Sequence, residues 1–401
     1  MERLVIHSEK IADRRAFLSI CPFGALELDE KGEVVINAAC RMCRICVKNG
    51  PPGAAVMENA ADAKAFNAAD WNGIAVYAEQ EAGKPHPVSL ELLGKASELA
   101  AVSGERVIVL ICGENAGDAA ESLRYYGADE IYVYERAELK YFRAEPYAAV
   151  FEHFIKGTKP SSVLVGATPY GRQLAPRVAA RINTGLTADC TALEMGEKGD
   201  LVQIRPAFGG NIMAEITTPR ARPQMATVRY KVMNAPKRRE TPVGVIKQRR
   251  VSDNALVSGV EIIEVKPKPA EMYIEDVDVI VAAGRGVKKQ ADMNMIKELA
   301  ALLGGQAACS RPLAEAGFLS ANRQIGLSGR TVRPKFILTC GISGSVQFTA
   351  GMSKADVIAA INTDSKAPIF RVAHYAIIGD LYQIVPEMIH KLRERKKAVT
   401  R

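Results

Sequence analysis

The chain has 401 residues, 48% hydrophobic and 24% charged. That is ordinary for a globular protein but too long for one compact core, so about two or three domains are expected. A formal charge of +8 is mild. It admits an acidic redox partner, but without a basic stripe interleaved with aromatics it points away from nucleic acid. No apolar run is long enough to cross a bilayer. The first residues, Met1 to His7, carry neither a signal-peptide core nor an Arg/Ser-rich transit character. A cytoplasmic location without membrane insertion is expected.

In chain order, the first chemistry-bearing feature is a cysteine set: Cys21, followed by Pro22, and then Cys40, Cys43 and Cys46. Bacterial ferredoxins carry C-x2-C-x2-C-x3-C-P twice, the fourth cysteine of each run ligating the other run's cluster. Counting back from Cys21 at that spacing reaches Phe17, Arg14 and Ile11. Counting forward from Cys46 reaches Gly50, followed by Pro51. The missing four would have shared one cluster, and the surviving four would share the other. The frame also repeats outside the ligands, Cys21–Leu28 aligning with Gly50–Met57. One 4Fe–4S cluster on Cys21, Cys40, Cys43 and Cys46 is the leading expectation. A zinc site is the alternative, although zinc knuckles usually come as two C-x2-4-C pairs, and four unrelated buried thiols are the plain reading. Cys112, Cys190, Cys309 and Cys340 lie mostly beside apolar runs and are expected to be reduced core residues.

Residues 1–68 therefore form a small α+β domain stapled by its cluster, with a short helical linker over Asn59–Ala69. From Trp71 the texture alternates. Strands are expected at Gly73–Tyr77, Arg106–Ile111, Glu130–Tyr134 and Ser162–Val165, with helices near Leu90–Val102, Asp118–Tyr126 and Tyr147–Lys156. Leu201–Arg205 and Thr227–Val232 are candidate strands. The Lys-, Arg- and Pro-rich stretch 234–270 is a candidate connection that still admits a strand at Gly259–Val265. A second α/β unit follows. Its expected strands begin at Val277–Gly284, Gln306–Cys309, Lys335–Thr339, Val357–Ile361 and Ile369–Val372. Its expected helices are Lys289–Leu303, one near Gln347–Gly351, and Asp380–Lys397. The fold class is thus α/β: the small domain, then two doubly wound α/β domains with parallel sheets, at 71–265 and 270–401.

Open α/β sheets bind ligands beyond the carboxyl ends of their strands. Three segments fit: Gly284-Arg285-Gly286, Ser310-Arg311 and Gly341–Ser345. Glycines admit a close approach to phosphate, helix N-termini offer free N–H groups, and arginines add charge-assisted contacts. None matches G-x-G-x-x-G, so the segments alone support a nucleotide site without fixing its ligand.

Longer stretches carry a resemblance. Asn183–Cys190, Pro206–Ala214, Val281–Gly286, Arg323–Val332, Gly341–Gln347 with Ala350–Met352, Ala359–Asp364, Ala367–Phe370 and Gly379–Leu381 together cover most of 71–401. They resemble the α subunit of electron-transfer flavoproteins, and the cysteine-bearing extension is similar to the variant found in some anaerobes. The resemblance implies one FAD in the C-terminal domain and an interface with a β subunit in the domain before it. It places the FAD on Arg285, Ser310, Arg311, Gln324, Ile325, Gly326, Leu327, Ser328, Ser343, Gly344, Ser345, Val346, Gln347, Phe348, Asn362, Asp380 and Leu381. It puts Arg311 against the isoalloxazine, the Ile325–Ser328 loop past the flavin ring with Ser328 near N5, and Asn362 and Asp380 on the adenosine half. Phe348 stands where the family commonly has His, and His374 where many members have Asp. Residues 183–190 and 206–214 are expected to serve packing or subunit contact.

The implied function is electron transfer within a heterodimer. Its implied partners are a nucleotide-bearing β subunit, ferredoxin, and a flavin dehydrogenase of the acyl-CoA or lactate type, in some members with electron bifurcation. No catalytic residue is expected. The rival is a self-contained ferredoxin- or NAD(P)H-dependent flavin oxidoreductase; a colourless scaffold without cofactors is a third reading.

Overall fold

The protein is represented by a computed structural model describing residues 2–29, 32–36, 40, 43–59, 67–197, 199–210, 212–266 and 273–399. The chain divides into two compact units, Met1–Asn67 and Ala68–Arg401.

The first unit shows the repeat in three dimensions. Helix Arg14–Ser19 leads into Cys21, a left-handed Gly24 and strand Leu26–Leu28; helix Ile45–Asn49 leads into Gly50, a left-handed Gly53 and strand Ala55–Asn59. Leu26–Leu28 pairs with Val34–Ile36, and Glu2–Ile6 pairs with Ala55–Asn59, both antiparallel. The small core includes Ile11, Phe17, Leu26, Val34 and Cys46. Two of the non-cysteine positions in the missing run, Ile11 and Phe17, are thus buried apolar residues. A Cβ at Gly50 would stand 2.6 Å from the Phe17 ring, so in this half an aromatic side chain fills the interior. The expected linker over Asn59–Ala69 lies largely outside the described residues; Ala68–Asp70 forms a single 3-10 turn.

The second unit holds two parallel sheets. The seven-stranded sheet runs Leu186–Cys190, Gln224–Val228, Ser162–Gly166, Ile74–Ala78, Val107–Gly113, Glu130–Glu135 and Val245–Gln248. Its central strands are buried along their whole length, as continuous Val/Ile/Leu runs require when helices cover both faces. Helices Pro87–Ser103 and Ala116–Leu123 help to build one apolar layer, and Ala144–Thr158 with Pro169–Arg181 the other. The strand order reverses between Ser162–Gly166 and Ile74–Ala78. A separate antiparallel sheet is formed by Ala192–Met195, Leu201–Ala207 and Ile212–Ile216.

The five-stranded sheet runs Gln306–Cys309, Val279–Ala283, Phe336–Cys340, Val357–Asn362 and Tyr375–Ile378, all parallel. Numbered along the chain this order is 2-1-3-4-5, so the reversal falls between Val279–Ala283 and Phe336–Cys340.

Three expected strands differ. Ile369–Val372 is not extended; Pro368–Arg371 is a 3-10 turn. Pro368 brings no N–H to a sheet, and the Ile369 N–H donates to the Ser343 carbonyl at 2.9 Å. The sheet's last strand is Tyr375–Ile378. Gly259–Val265 forms no strand, and Val245–Gln248 extends the sheet instead. Thr227–Val232 is a strand only to Val228, because Lys231 turns into the left-handed region.

Candidate functional site

A cavity of about 530 Å³ opens at the carboxyl ends of the five-stranded sheet, within the range typical of cofactor sites. It lies at the order reversal. Gly284 donates its N–H to the Cys340 carbonyl and Gly286 to the Gly341 carbonyl. A Cβ at Gly286 would come within 2.6 Å of Gly341, so the two loops approach as closely as backbone allows. Gly344 has φ +85°, and a Cβ there would lie 2.2 Å from the Ile369 amide; only glycine fits this turn.

Eight of the expected binding residues line the cavity: Arg285, Ser310, Ser343, Ser345, Phe348, Asn362, Asp380 and Leu381. Asn362 donates its Nδ2–H to the Ile342 carbonyl at 2.9 Å, holding the Gly341–Ser345 turn. Asp380 accepts the Tyr382 N–H at 2.9 Å and starts helix Leu381–Val399. Lys288, Thr363 and Tyr382 also line the cavity, and the sequence reading missed them. Tyr382 donates to Asp292 at 2.6 Å and accepts from the Lys288 N–H; only a spatial view links these elements.

The other nine do not line it. Gly344 belongs to the turn at Gly341–Ser345, and Val346 and Gln347 open the short helix Val346–Thr349 that follows it. Gln324, Ile325, Gly326, Leu327 and Ser328 form an adjoining loop joined to it by the Leu327 N–H, which donates to the Gln347 carbonyl at 2.8 Å. Gln324 donates its Nε2–H to Ser328 Oγ at 2.9 Å, leaving the Ser328 hydroxyl hydrogen free to donate elsewhere. Arg311 is exposed and pairs with Glu315 one helical turn on, at 2.7 Å. Phe348 is both a cavity wall and a member of a core with Ile325, Ile342 and Ile369. His374 accepts the Ile358 N–H on Nδ1 at 2.9 Å. Burial raises the Cys309 thiol to about 11 and the Cys340 thiol to about 12, consistent with inert core residues.

In the first unit Cys21, Cys40, Cys43 and Cys46 line one pocket with Leu4, Phe23, Ala25, Leu26, Arg44 and Ile45. The Ala25 N–H donates to Cys21 Sγ at 3.3 Å. Burial is the main cause that raises the Cys46 pKa, and Cys40 and Cys43 add to it. The void is small, about 20 Å³. Among the described residues no group of three or more such side chains is close enough to hold a bare ion. The donor chemistry nonetheless suits a thiolate-bound centre: four soft ligands, an N–H aimed at sulfur, and an apolar wall.

The comparisons agree with the cavity. The family described as "Electron transfer flavoprotein domain" matches residues 74–254, and "Electron transfer flavoprotein FAD-binding domain" matches 273–353. The chain is 42% identical to an electron transfer flavoprotein subunit alpha of Thermoanaerobacterium thermosaccharolyticum, covering 82% of this chain and 99% of that one. A subunit alpha of Megasphaera elsdenii matches at 42%, covering 82% and 98%. A protein of Acetobacterium woodii named lactate dehydrogenase (NAD(+),ferredoxin) subunit LctC is 52% identical, covering 93% of this chain and 89% of its own. The chain therefore belongs to the electron-transfer flavoprotein α-subunit family. It works in electron transfer as the FAD-binding member of such a complex. The α/β reading with parallel sheets holds, and among the described residues no helix is long and apolar enough to cross a membrane.

Proposed function

We propose that this chain carries electrons between a β subunit, ferredoxin and a lactate-type flavin dehydrogenase, in a bifurcating complex of the cytoplasm. In this reading residues 71–265 meet the β subunit, residues 270–401 hold FAD, and residues 1–68 hold a 4Fe–4S cluster on Cys21, Cys40, Cys43 and Cys46. The single observation that carries it is the reach of the similarity. The LctC match spans 93% of the chain, more than residues 68–401 alone could supply, so it extends into the cysteine-bearing unit.

Bound FAD supplies the one- and two-electron chemistry that side chains lack. Arg285 and Lys288 place positive charge where a pyrophosphate would enter, and Ser343 and Ser345 offer hydroxyl donors on the same turn. Asn362 and Asp380 would form the wall on the adenosine side. Ser328 would offer a hydroxyl to the flavin ring while Gln324 holds its oxygen from behind. Arg311, paired with Glu315 here, would have to exchange that exposed partner for the flavin. An exposed pair of this kind is worth only about 0–1 kcal/mol, so the exchange costs little. In the first unit the Ala25 amide and the apolar wall would shield a thiol-bound centre.

The test is cofactor content after anaerobic purification with the partner subunit. About four iron and four sulfide per chain with FAD bound is the expected result. Flavin without iron, or zinc in place of iron, would remove the cluster and the ferredoxin link. A variant lacking residues 1–67 should keep FAD and lose ferredoxin-linked turnover; unchanged turnover would overturn that part of the reading.

A further inference from the structure

The segment Asn183–Cys190 plays no part in the cavity, yet its geometry is unusual. Strand Leu186–Cys190 pairs in parallel with Gln224–Val228, and the register shifts between Thr187 and Cys190. Asp189 sits in that irregularity with φ +59°, and its N–H donates to Thr227 Oγ1 at 2.9 Å. Bulges of this kind re-aim side chains. Here the Asp189 carboxylate receives two arginines: Arg172 Nε at 3.1 Å on one oxygen, and Arg229 Nη2 at 3.6 Å on the other.

Arg229 follows the strand Gln224–Val228 directly. Its side chain is only 11% exposed. The same Nη2 donates to the Leu327 carbonyl at 2.8 Å, so an arginine from the seven-stranded sheet reaches the loop that adjoins the cavity. The Leu327 carbonyl and the Ser328 N–H belong to one peptide group and point in opposite directions. Among the described residues no acceptor takes the Ser328 N–H. A cation on the carbonyl polarises that peptide and strengthens its N–H as a donor. Behind Ser328, Gln324 holds the hydroxyl oxygen. The loop thus presents two open donors, N–H and O–H, each fixed from the rear.

We propose that Arg229, seated by the bulged Asp189, is a positioning residue for the flavin: it fixes and polarises the Leu327–Ser328 peptide so that Ser328 stabilises negative charge on the reduced ring. The proposal rests on the reading that residues 324–328 pass the flavin. Arg229 touches neither the cavity nor the ring and acts through Ser328. Its loss removes support for charge gained on reduction, so the flavin becomes harder to reduce.

The experiment uses the FAD-loaded complex with its partner subunit and compares Arg229→Gln, Asp189→Asn and Ser328→Ala with the parent. It reads FAD content, the visible flavin spectrum and the flavin's one-electron reduction equilibrium. Arg229→Gln should keep FAD and move the equilibrium about tenfold toward the oxidised form, about 59 mV for one electron. Asp189→Asn should move it the same way by less, and Arg229→Lys should restore part of the loss. A role in packing alone would lower thermal stability and leave the equilibrium in place. If Ser328→Ala shifts the flavin while Arg229→Gln and Asp189→Asn do not, the proposal falls and the loop assignment stands. If none of the three shifts it, the loop assignment falls as well. Should Arg229→Gln fail to fold, Asp189→Asn, which keeps an acceptor and removes only the charge, decides alone.

Discussion

The two parallel sheets offer the same opportunity and use it differently. Each reverses its strand order near the middle, the place beyond the strand ends where open sheets of this kind offer a crevice. On the five-stranded sheet the crevice is a cavity edged by Arg285, Lys288 and three serines. On the seven-stranded sheet the equivalent ends carry acids: Glu79 after Ile74–Ala78, Glu114 after Val107–Gly113, and Glu135 ending the neighbouring strand. Here the protein's own side chains fill the space. Thr168 donates to Glu79, and Gln80 donates to the Glu114 carbonyl at 3.1 Å and lies where a Gly113 side chain would go. The next helix, Pro87–Ser103, has its first N–H groups engaged from within: His86 Nδ1 accepts from Val88. Topology supplies a crevice; the charge and length of the first side chains past each strand decide whether it is a site.

The largest expected effect comes from closing the open crevice sterically. Gly344→Ala places a Cβ 2.2 Å from the Ile369 amide in a left-handed turn. It should destabilise the chain by about 2–4 kcal/mol and release FAD; urea unfolding and flavin content after gel filtration measure both. Next comes charge. Arg285→Glu makes the open crevice resemble the filled one and should weaken FAD retention by roughly 100-fold, with little change in the thermal midpoint. Retention equal to the parent would show that the cavity's charge does not select its ligand.

The half that holds the seven-stranded sheet has its own signature in pH. Burial raises Glu91 to about 7, against amide donors from Lys231 and Met233 that pull it down. Its folded pKa lies above the unfolded value, so its neutral form is favoured by folding. That contribution is complete below about pH 4.5 and is lost as pH rises through about 7. The unfolding free energy should fall by about 1–3 kcal/mol between pH 5 and 8, and Glu91→Gln should flatten the slope. A slope of equal size in the variant would assign it to other groups. The smallest effect is expected from Glu79→Gln. Burial raises the Glu79 pKa too, and a neutral amide can keep the Thr168 hydrogen bond, so stability at pH 7 should change by under about 1 kcal/mol. No second flavin should bind. One that did would show that charge alone had kept this crevice empty.

Much of this contrast was legible in the sequence. Val107–Leu110 reads as a buried strand because every residue is apolar, and Gly284-Arg285-Gly286 reads as a strand-end loop because two glycines follow at once. What failed to show was whatever depends on neighbours in space. Lys288, Thr363 and Tyr382 reach the cavity because three distant segments converge, and no local pattern marks them. Arg311 carries the right charge, but Glu315 lies within its reach. Strand Tyr375–Ile378 has no buried face to impose an alternation, so the apolar residues at Ile369–Val372 drew the strand expectation instead. The bulge at Asp189 leaves no trace in composition.

The phenyl ring of Phe17 has a further consequence. In the cysteine half of the first unit, integrity would rest on bonds that oxygen and chelators can break. In the other half it rests on an aromatic ring against Gly50, which neither can touch. With the proposed cluster in place, exposure to air would therefore wear the unit from one side only, loosening amide protection over the helix Ile45–Asn49 while the strand pair Glu2–Ile6 and Ala55–Asn59 stays closed.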